Sequence, residues 1–238
     1  MTLQTRLVEV RANVLKQNDI AARLLRRKFE DAGTFVVSLV SSPGAGKTTL
    51  LEETLRRLRE HWRIAALVGD LATDNDARRL SRAGVPVRQI STGTLCHLEA
   101  SMIERALQDC FPGPLDFLFI ENVGNLVCPA SFDLGEALRV VLFSVTEGDD
   151  KPLKYPTIFN TSDLAILTKM DLLGAGDFDL DQARANIQAV RPGIPVLEVS
   201  TRSGSGLDRW IDMLGAKRIQ AKEPGPVLPR SSSNESSS

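Results

Sequence analysis

The stretch Phe35–Leu51, FVVSLVSSPGAGKTTLL, constrains this chain more than any other. A β-branched apolar run passes into a loop of small residues, and a helix-like pattern begins near Lys47. Strand, glycine-rich loop and helix, in that order, are what a phosphate-binding P-loop requires. Gly44 and Gly46 let the backbone around Ala45 approach phosphate oxygens with its N–H groups turned inward. Lys47 brings a point charge to the β- and γ-phosphates, Thr48 offers a hydroxyl to Mg²⁺, and Thr49 completes the Lys-Thr-Thr ending. Ser41 stands where the strict pattern has its first glycine. The expected fold is an α/β P-loop NTPase: a mostly parallel sheet of about seven strands flanked by helices, with a helix at the N-terminus.

A chain of 238 residues buries one large core. It divides into an N-terminal amphipathic helix (1–32), a nucleotide-binding domain (33–216) and a polar tail (217–238) ending in SSSNESSS, whose composition predicts disorder. Leu3, Leu7, Val10 and Val14 repeat at helical spacing, and Ala21, Leu24 and Leu25 extend the stripe. Such a helix is expected to pack on its own domain or on a second copy. The 29 basic and 30 acidic side chains nearly cancel, which argues against a general grip on nucleic acid. No apolar run reaches membrane-span length, and the N-terminus lacks the apolar core of a signal peptide, so a cytoplasmic location is expected. Three cysteines are too few for a disulfide framework, and reduced thiols, buried or metal-bound, are the better reading.

Further strands deliver chemistry at their ends. Ile64–Val68 leads to Asp70, a candidate for Mg²⁺ or water positioning, with Asp74 and Asp76 as alternatives that also suit a helix N-terminus. Residues 87–90 form a strand that runs into Cys96-His97, and a helix is expected from Leu98 to Gln108. Thiolate and imidazole both ligate Zn²⁺ and Ni²⁺, although a Cys-His pair in a loop is a weak signal alone. Asp116–Ile120 delivers Glu121, an acidic position suited to hold Mg²⁺. Gly124 follows where a γ-phosphate-sensing segment would begin, and Cys128 lies four residues beyond it. Cys110 reads as a small buried hydrophobe.

Strands are also expected at 138–145, 164–167 and 196–199, and helices at 178–190 and 207–214, the last ending at Gly215. Thr146–Pro156, polar and carrying two prolines, reads as a loop. Leu167 is followed by Thr168-Lys169-Met170-Asp171, close to the Asn-Lys-x-Asp motif with which GTP-binding proteins read their base. A carboxylate at Asp171 accepts from both N1–H and the exocyclic amine of guanine, whereas adenine would leave it unpaired. The Lys169 stem lies over the base plane, and Ser200-Thr201-Arg202 falls at a third base-contact loop. Thr168 replaces the usual asparagine with a side chain that makes fewer hydrogen bonds.

With these residues in place, the chain from Phe35 to Trp210 resembles the nickel-incorporation GTPases of [NiFe]-hydrogenase maturation. SSPGAGKTTLL, STGTLCHLEA and above all ENVGNLVCPASFDLGE carry the resemblance, and the last two separate it from the urease-maturation GTPases. It implies a homodimeric GTPase of the signal-recognition-particle-like class, using GTP/GDP and Mg²⁺, with a Ni²⁺ or Zn²⁺ site at Cys96, His97 and Cys128. Neighbouring side chains on an extended segment point apart, so Cys96 and His97 meet on one ion only if the loop bends or one of them reaches a second chain, and a site at or near the two-fold axis of a dimer is expected. Some members carry an N-terminal cysteine motif or a histidine-rich tract; this chain has neither. Nickel is therefore expected to arrive from the small nickel metallochaperone of the pathway and to pass to the hydrogenase large-subunit precursor. No glutamine or arginine finger is assignable, which implies slow intrinsic turnover. A P-loop small-molecule kinase and a metallochaperone GTPase for urease or cobalamin are the alternatives.

Overall fold

The computed structural model describes residues 3–70, 75–108, 111 and 113–222. Asp74 and Cys110 lie outside them. Seven strands, β1 (Phe35–Ser41), β2 (Ile64–Asp70), β3 (Val87–Ser91), β4 (Phe117–Glu121), β5 (Leu138–Ser144), β6 (Leu164–Thr168) and β7 (Val196–Glu198), form one sheet in the order β3-β2-β4-β1-β5-β6-β7. Every pairing is parallel. Six strands came out of the sequence as nearly unbroken apolar runs because both sheet faces are covered.

Alternation along the strands divides the core. Val37, Leu39, Phe117, Phe119, Val140 and Leu142 face α2 (Lys47–Leu58) and α8 (Leu207–Lys222), where Leu50, Leu55, Trp210 and Leu214 meet them. Trp210 is fully buried and its indole N–H donates to Thr54 Oγ1 at 2.9 Å, so the polar edge of this large side chain is satisfied. On the other face, Val36, Ala65, Leu67, Leu118 and Ile120 meet α1 (Leu3–Asp31) and α4 (Ala100–Leu107). Val40, Val141, Phe143 and Leu167 pack under α6 (Pro156–Asn160) and α7 (Leu180–Val190).

The chain enters at the centre with β1, moves out to β2 and β3, returns to β4 and crosses to β5 on the far side of β1. Connections therefore diverge beyond the carboxyl ends of β1, β4 and β5, where open α/β sheets hold ligands. Of the remaining elements, α3 (Asn75–Ser81) follows β2 and α5 (Lys151–Lys154) follows β5.

Three local expectations differ from the structure. Thr146–Pro156 is not all loop: α5 occupies part of it and α6 begins at Pro156. Pro152 and Pro156 sit in first turns, where a missing N–H breaks no helical bond. In α1 the predicted stripe is not uniformly packed: Ala22, Leu25 and Phe29 are buried, whereas Val10, Val14 and Leu24 are exposed, and the side chains of Leu3 and Leu7 lie outside those described. Finally, α8 runs past Gly215 to Lys222, taking in residues 217–222 of the expected tail.

Arg218 explains that extension. It is 2% exposed; its Nε donates to Asp116 O at 2.9 Å and its Nη2 to Gly33 O at 2.5 Å. Those bonds outweigh the ~1 kcal/mol penalty of a helical glycine. Arg218→Ala takes this donor from one buried and one half-buried carbonyl and should cost about 3 kcal/mol, lowering Tm by roughly 6–12 °C. Thermal unfolding checks this, and a Tm within about 2 °C of the parent would contradict it. Among the described residues, no helix is long and apolar enough to cross a membrane.

Candidate functional site

Gly44 and Gly46 turn the loop after β1 through left-handed conformations, φ 76° and 95°, that other residues rarely adopt. Ser41 ends β1 and is not among the residues with positive φ, so the position does not demand glycine. Its hydroxyl accepts from Lys47 Nζ at 3.4 Å. Lys47 opens α2, and its ammonium lies 3.7 Å from Glu121 Oε1 at the end of β4. Thr48 Oγ1 donates to the same carboxylate oxygen at 2.6 Å.

Glu121 is 1% exposed, and burial pushes its carboxyl above the usual range, against the pull of Lys47 and the Thr48 hydrogen bond. Its Oε2 is buried with no hydrogen-bond partner. An orphaned carboxylate oxygen beside a hydroxyl is a donor set that suits a hard cation. Asp70 closes β2 two residues beyond Val68, which is paired with Glu121. Asp76, in the first turn of α3, is close enough for its charge to raise the Glu121 pKa further.

The segment Thr168–Asp171, expected from its sequence to read the base, lies beside the same loop. Thr168 Oγ1 donates to Ala45 O at 2.6 Å, so the threonine ties the two loops together despite its shorter side chain. Lys169 adopts φ 58°, the one positive φ at a non-glycine residue described. Such a left-handed conformation is strained for a residue other than glycine. Gly46, Thr49, Leu50, Thr168, Lys169 and Asp171 line a cleft of about 260 Å³, together with Thr201 and Arg202. Ser200 is fully buried and does not line the cleft; its hydroxyl donates to Asp171 Oδ1 at 2.5 Å. The serine marked in sequence as a base contact thus orients the carboxylate.

Cys96, His97 and Cys128 converge, with one ligand atom from each lying within 4.8 Å of the others. One chain gathers all three, by the bent loop rather than by reaching a second chain. The segment after β3 bends rather than extending: Leu95 N–H donates to Thr92 O, and Cys96 and His97 follow in bends. Cys128 opens a short 3-10 turn (Cys128–Ser131) and places its Sγ 2.8 Å from that of Cys96.

His97 is buried, and its ring lies 3.9 Å from the Phe132 ring at 31°. Both its nitrogens are buried without a hydrogen bond. Glu99 Oε1, at 3.6 Å from Nε2, is too distant to bond and acts only as a charge. Burial lowers the imidazole pKa, more than Glu99 raises it, which keeps the ring neutral and able to ligate. Two thiols and an unpartnered imidazole are a donor set for Zn²⁺ or Ni²⁺.

Sequence reasoning missed the asparagines that hold these loops. Asn125 Nδ2 donates to Cys96 O at 3.3 Å, and its Oδ1 accepts from Val127 N at 2.9 Å. Asn18 on α1 accepts from Ala100 N at 2.9 Å and donates to Asp133 O at 2.8 Å. Asn122 Oδ1 accepts from Leu98 N at 3.1 Å. Asn122 and Asn125 lie in the stretch that leads to Cys128, whereas Asn18 lies on α1 with no local signal; the bonds to Cys96, Leu98, Ala100 and Asp133 join residues far apart in the chain.

Comparison with known proteins places the chain in a family. Residues 35–198 match the model of the CobW/HypB/UreG nucleotide-binding domain. Over 215 residues the chain is 48% identical to the hydrogenase maturation factor HypB of Azotobacter chroococcum, covering 90% of this chain and 70% of that protein. The hydrogenase/urease maturation factor HypB of Helicobacter hepaticus is 43% identical over 222 residues, covering 92% and 91%. The crystal structure of Helicobacter pylori HypB in complex with nickel superposes with a TM-score of 0.79 at 39% identity, covering 89% of this chain and all of that one. This chain, with its phosphate loop on β1 and its thiol–imidazole cluster beyond β3 and β4, belongs to the CobW/HypB/UreG nucleotide-binding family, among the HypB hydrogenase maturation factors.

Proposed function

We propose that the chain is a GTPase that holds nickel on Cys96, His97 and Cys128 and uses its nucleotide state to deliver the ion to the precursor of a [NiFe]-hydrogenase large subunit. One observation carries this reading. The segment 121–128 begins with the carboxylate at the phosphate loop and ends with a thiol of the cluster, so the two sites share one short stretch of chain.

At the nucleotide, Asp171 selects guanine, held in place by Ser200. Lys47 neutralises phosphate charge, and the Gly44–Gly46 backbone cradles the phosphates. The Thr48 hydroxyl and Glu121 would hold Mg²⁺, which when bound offsets charge between the β- and γ-phosphates. Asp70 positions the attacking water. With no arginine finger in the chain's own motifs, turnover is expected to be slow without a partner.

At the metal site, three ligands leave a four-coordinate ion one short. Val127, next to Cys128, is 61% exposed, and a homodimer that covers it would complete and shield the site. The protein then works in the cytosol, where thiols stay reduced, receives nickel from a small metallochaperone and passes it on. Urease is a second possible client, favoured by the name of the Helicobacter hepaticus relative.

The deciding experiment titrates the full chain with Ni²⁺ and Zn²⁺ in the presence of GDP or a non-hydrolysable GTP analogue, with oligomer mass recorded in parallel. Nickel affinity should differ between the two states by roughly 5- to 150-fold. Equal affinities would remove the delivery switch, and ATP hydrolysis as fast as GTP hydrolysis would remove the guanine assignment.

A further inference from the structure

Asn122 follows Glu121 directly and is almost wholly buried. Its backbone N–H donates to Leu39 O at 3.0 Å, which fixes it to β1, the strand that enters the phosphate loop. Its side-chain Oδ1 accepts twice, from Val123 N at 2.9 Å and from Leu98 N at 3.1 Å. Leu98 is the residue after His97. One amide oxygen thus joins the end of the strand that carries Glu121 to the peptide that carries the imidazole.

The surroundings leave this link little slack. A Cβ on Gly124 would lie 3.1–3.2 Å from atoms of Pro43, so the segment after Asn122 already touches the phosphate loop. A Cβ on Gly69 would lie 2.7 Å from Leu98 Cγ, so the Leu98 side chain is seated on β2 one residue before Asp70. Asn125 and Asn18 have a different geometry. Both tie metal-bearing segments to one another or to α1, and their partners lie outside the phosphate loop.

We propose that Asn122 is the positioning residue through which the nucleotide acts on the metal site. This rests on the nickel-delivery reading above. A displacement of the β4 end on nucleotide exchange carries Oδ1 with it. The Leu98 N–H follows, because a buried donor left without an acceptor is costly. His97 then moves relative to Cys128, and the two nucleotide states hold the ion differently.

The test compares nickel titrations of the full chain, read by thiolate-to-metal absorbance, at saturating GDP or saturating non-hydrolysable GTP analogue. In the parent the ratio of the two affinities should lie between about 5 and 150. Asn122→Ala should bring the ratio to within about 2-fold of one, and Asn122→Asp, which keeps an acceptor in place, should restore most of it. Asn125→Ala should weaken nickel in both states by a similar factor and leave the ratio intact. A parent ratio of one would sink the delivery reading and this proposal with it. A high parent ratio retained in Asn122→Ala sinks this proposal alone. Should Asn122→Ala fail to fold, hydrogen exchange of the parent decides: amide protection over residues 97–100 should change at least about 10-fold between the two nucleotides, and equal protection overturns the assignment.

Discussion

Replacing Cys128 with serine should weaken Ni²⁺ and Zn²⁺ binding by more than about 100-fold, the upper range for loss of even a supporting group at a metal centre. A serine hydroxyl stays protonated where a thiolate forms, so the ion loses both a soft donor and a negative charge. Cys96→Ser should behave alike, because its sulfur is the other soft donor of the cluster. Neither cysteine is fully buried, so stability should change by less than about 1 kcal/mol. Competition with a chelator of known affinity, alongside thermal unfolding, checks both statements. A Cys128→Ser protein with the parent's metal affinity would remove that residue from the site.

Asp171→Asn should cost guanine nucleotides about 10²- to 10³-fold in affinity. The carboxylate accepts from two donors of the base, and each hydrogen bond to a charged group contributes about 1.5–3 kcal/mol. Asparagine turns one acceptor into a donor that faces the guanine amine. Ser200 adds direction, since its hydroxyl holds Oδ1 and leaves the new amide group pointing at the base. Xanthine carries a carbonyl where guanine has that amine, so xanthosine triphosphate should bind the variant better than GTP does. Competition of the two nucleotides on parent and variant measures the inversion; unchanged GTP affinity would place the base elsewhere.

What could be read ahead of the structure was local. The P-loop is a contiguous stretch whose glycines and lysine act on one another across a few residues, and Asp171 gains its meaning from Lys169 beside it. Strands buried on both faces appear as apolar runs whatever surrounds them. Distant bonds account for the rest. Nothing near Gly215 shows that Arg218 will find Asp116 and Gly33 across the molecule. Pro152 and Pro156 read as breakers until the start of a helix is known. The turn that brings Cys96 and His97 to Cys128 is braced by Asn125, and Ser200 meets Asp171 only because β6 and β7 lie side by side.

That one chain brings two sulfurs and an imidazole within 4.8 Å has a consequence for trafficking. Under the nickel-delivery proposal, the three ligands come from one chain and stay together on dilution, and only the shielding that a homodimer would add carries a concentration term for the protein. Dilution into single chains would then loosen the ion without scattering the three ligands that hold it. Unloading has to be prompted, by a change of shape or by a competing acceptor.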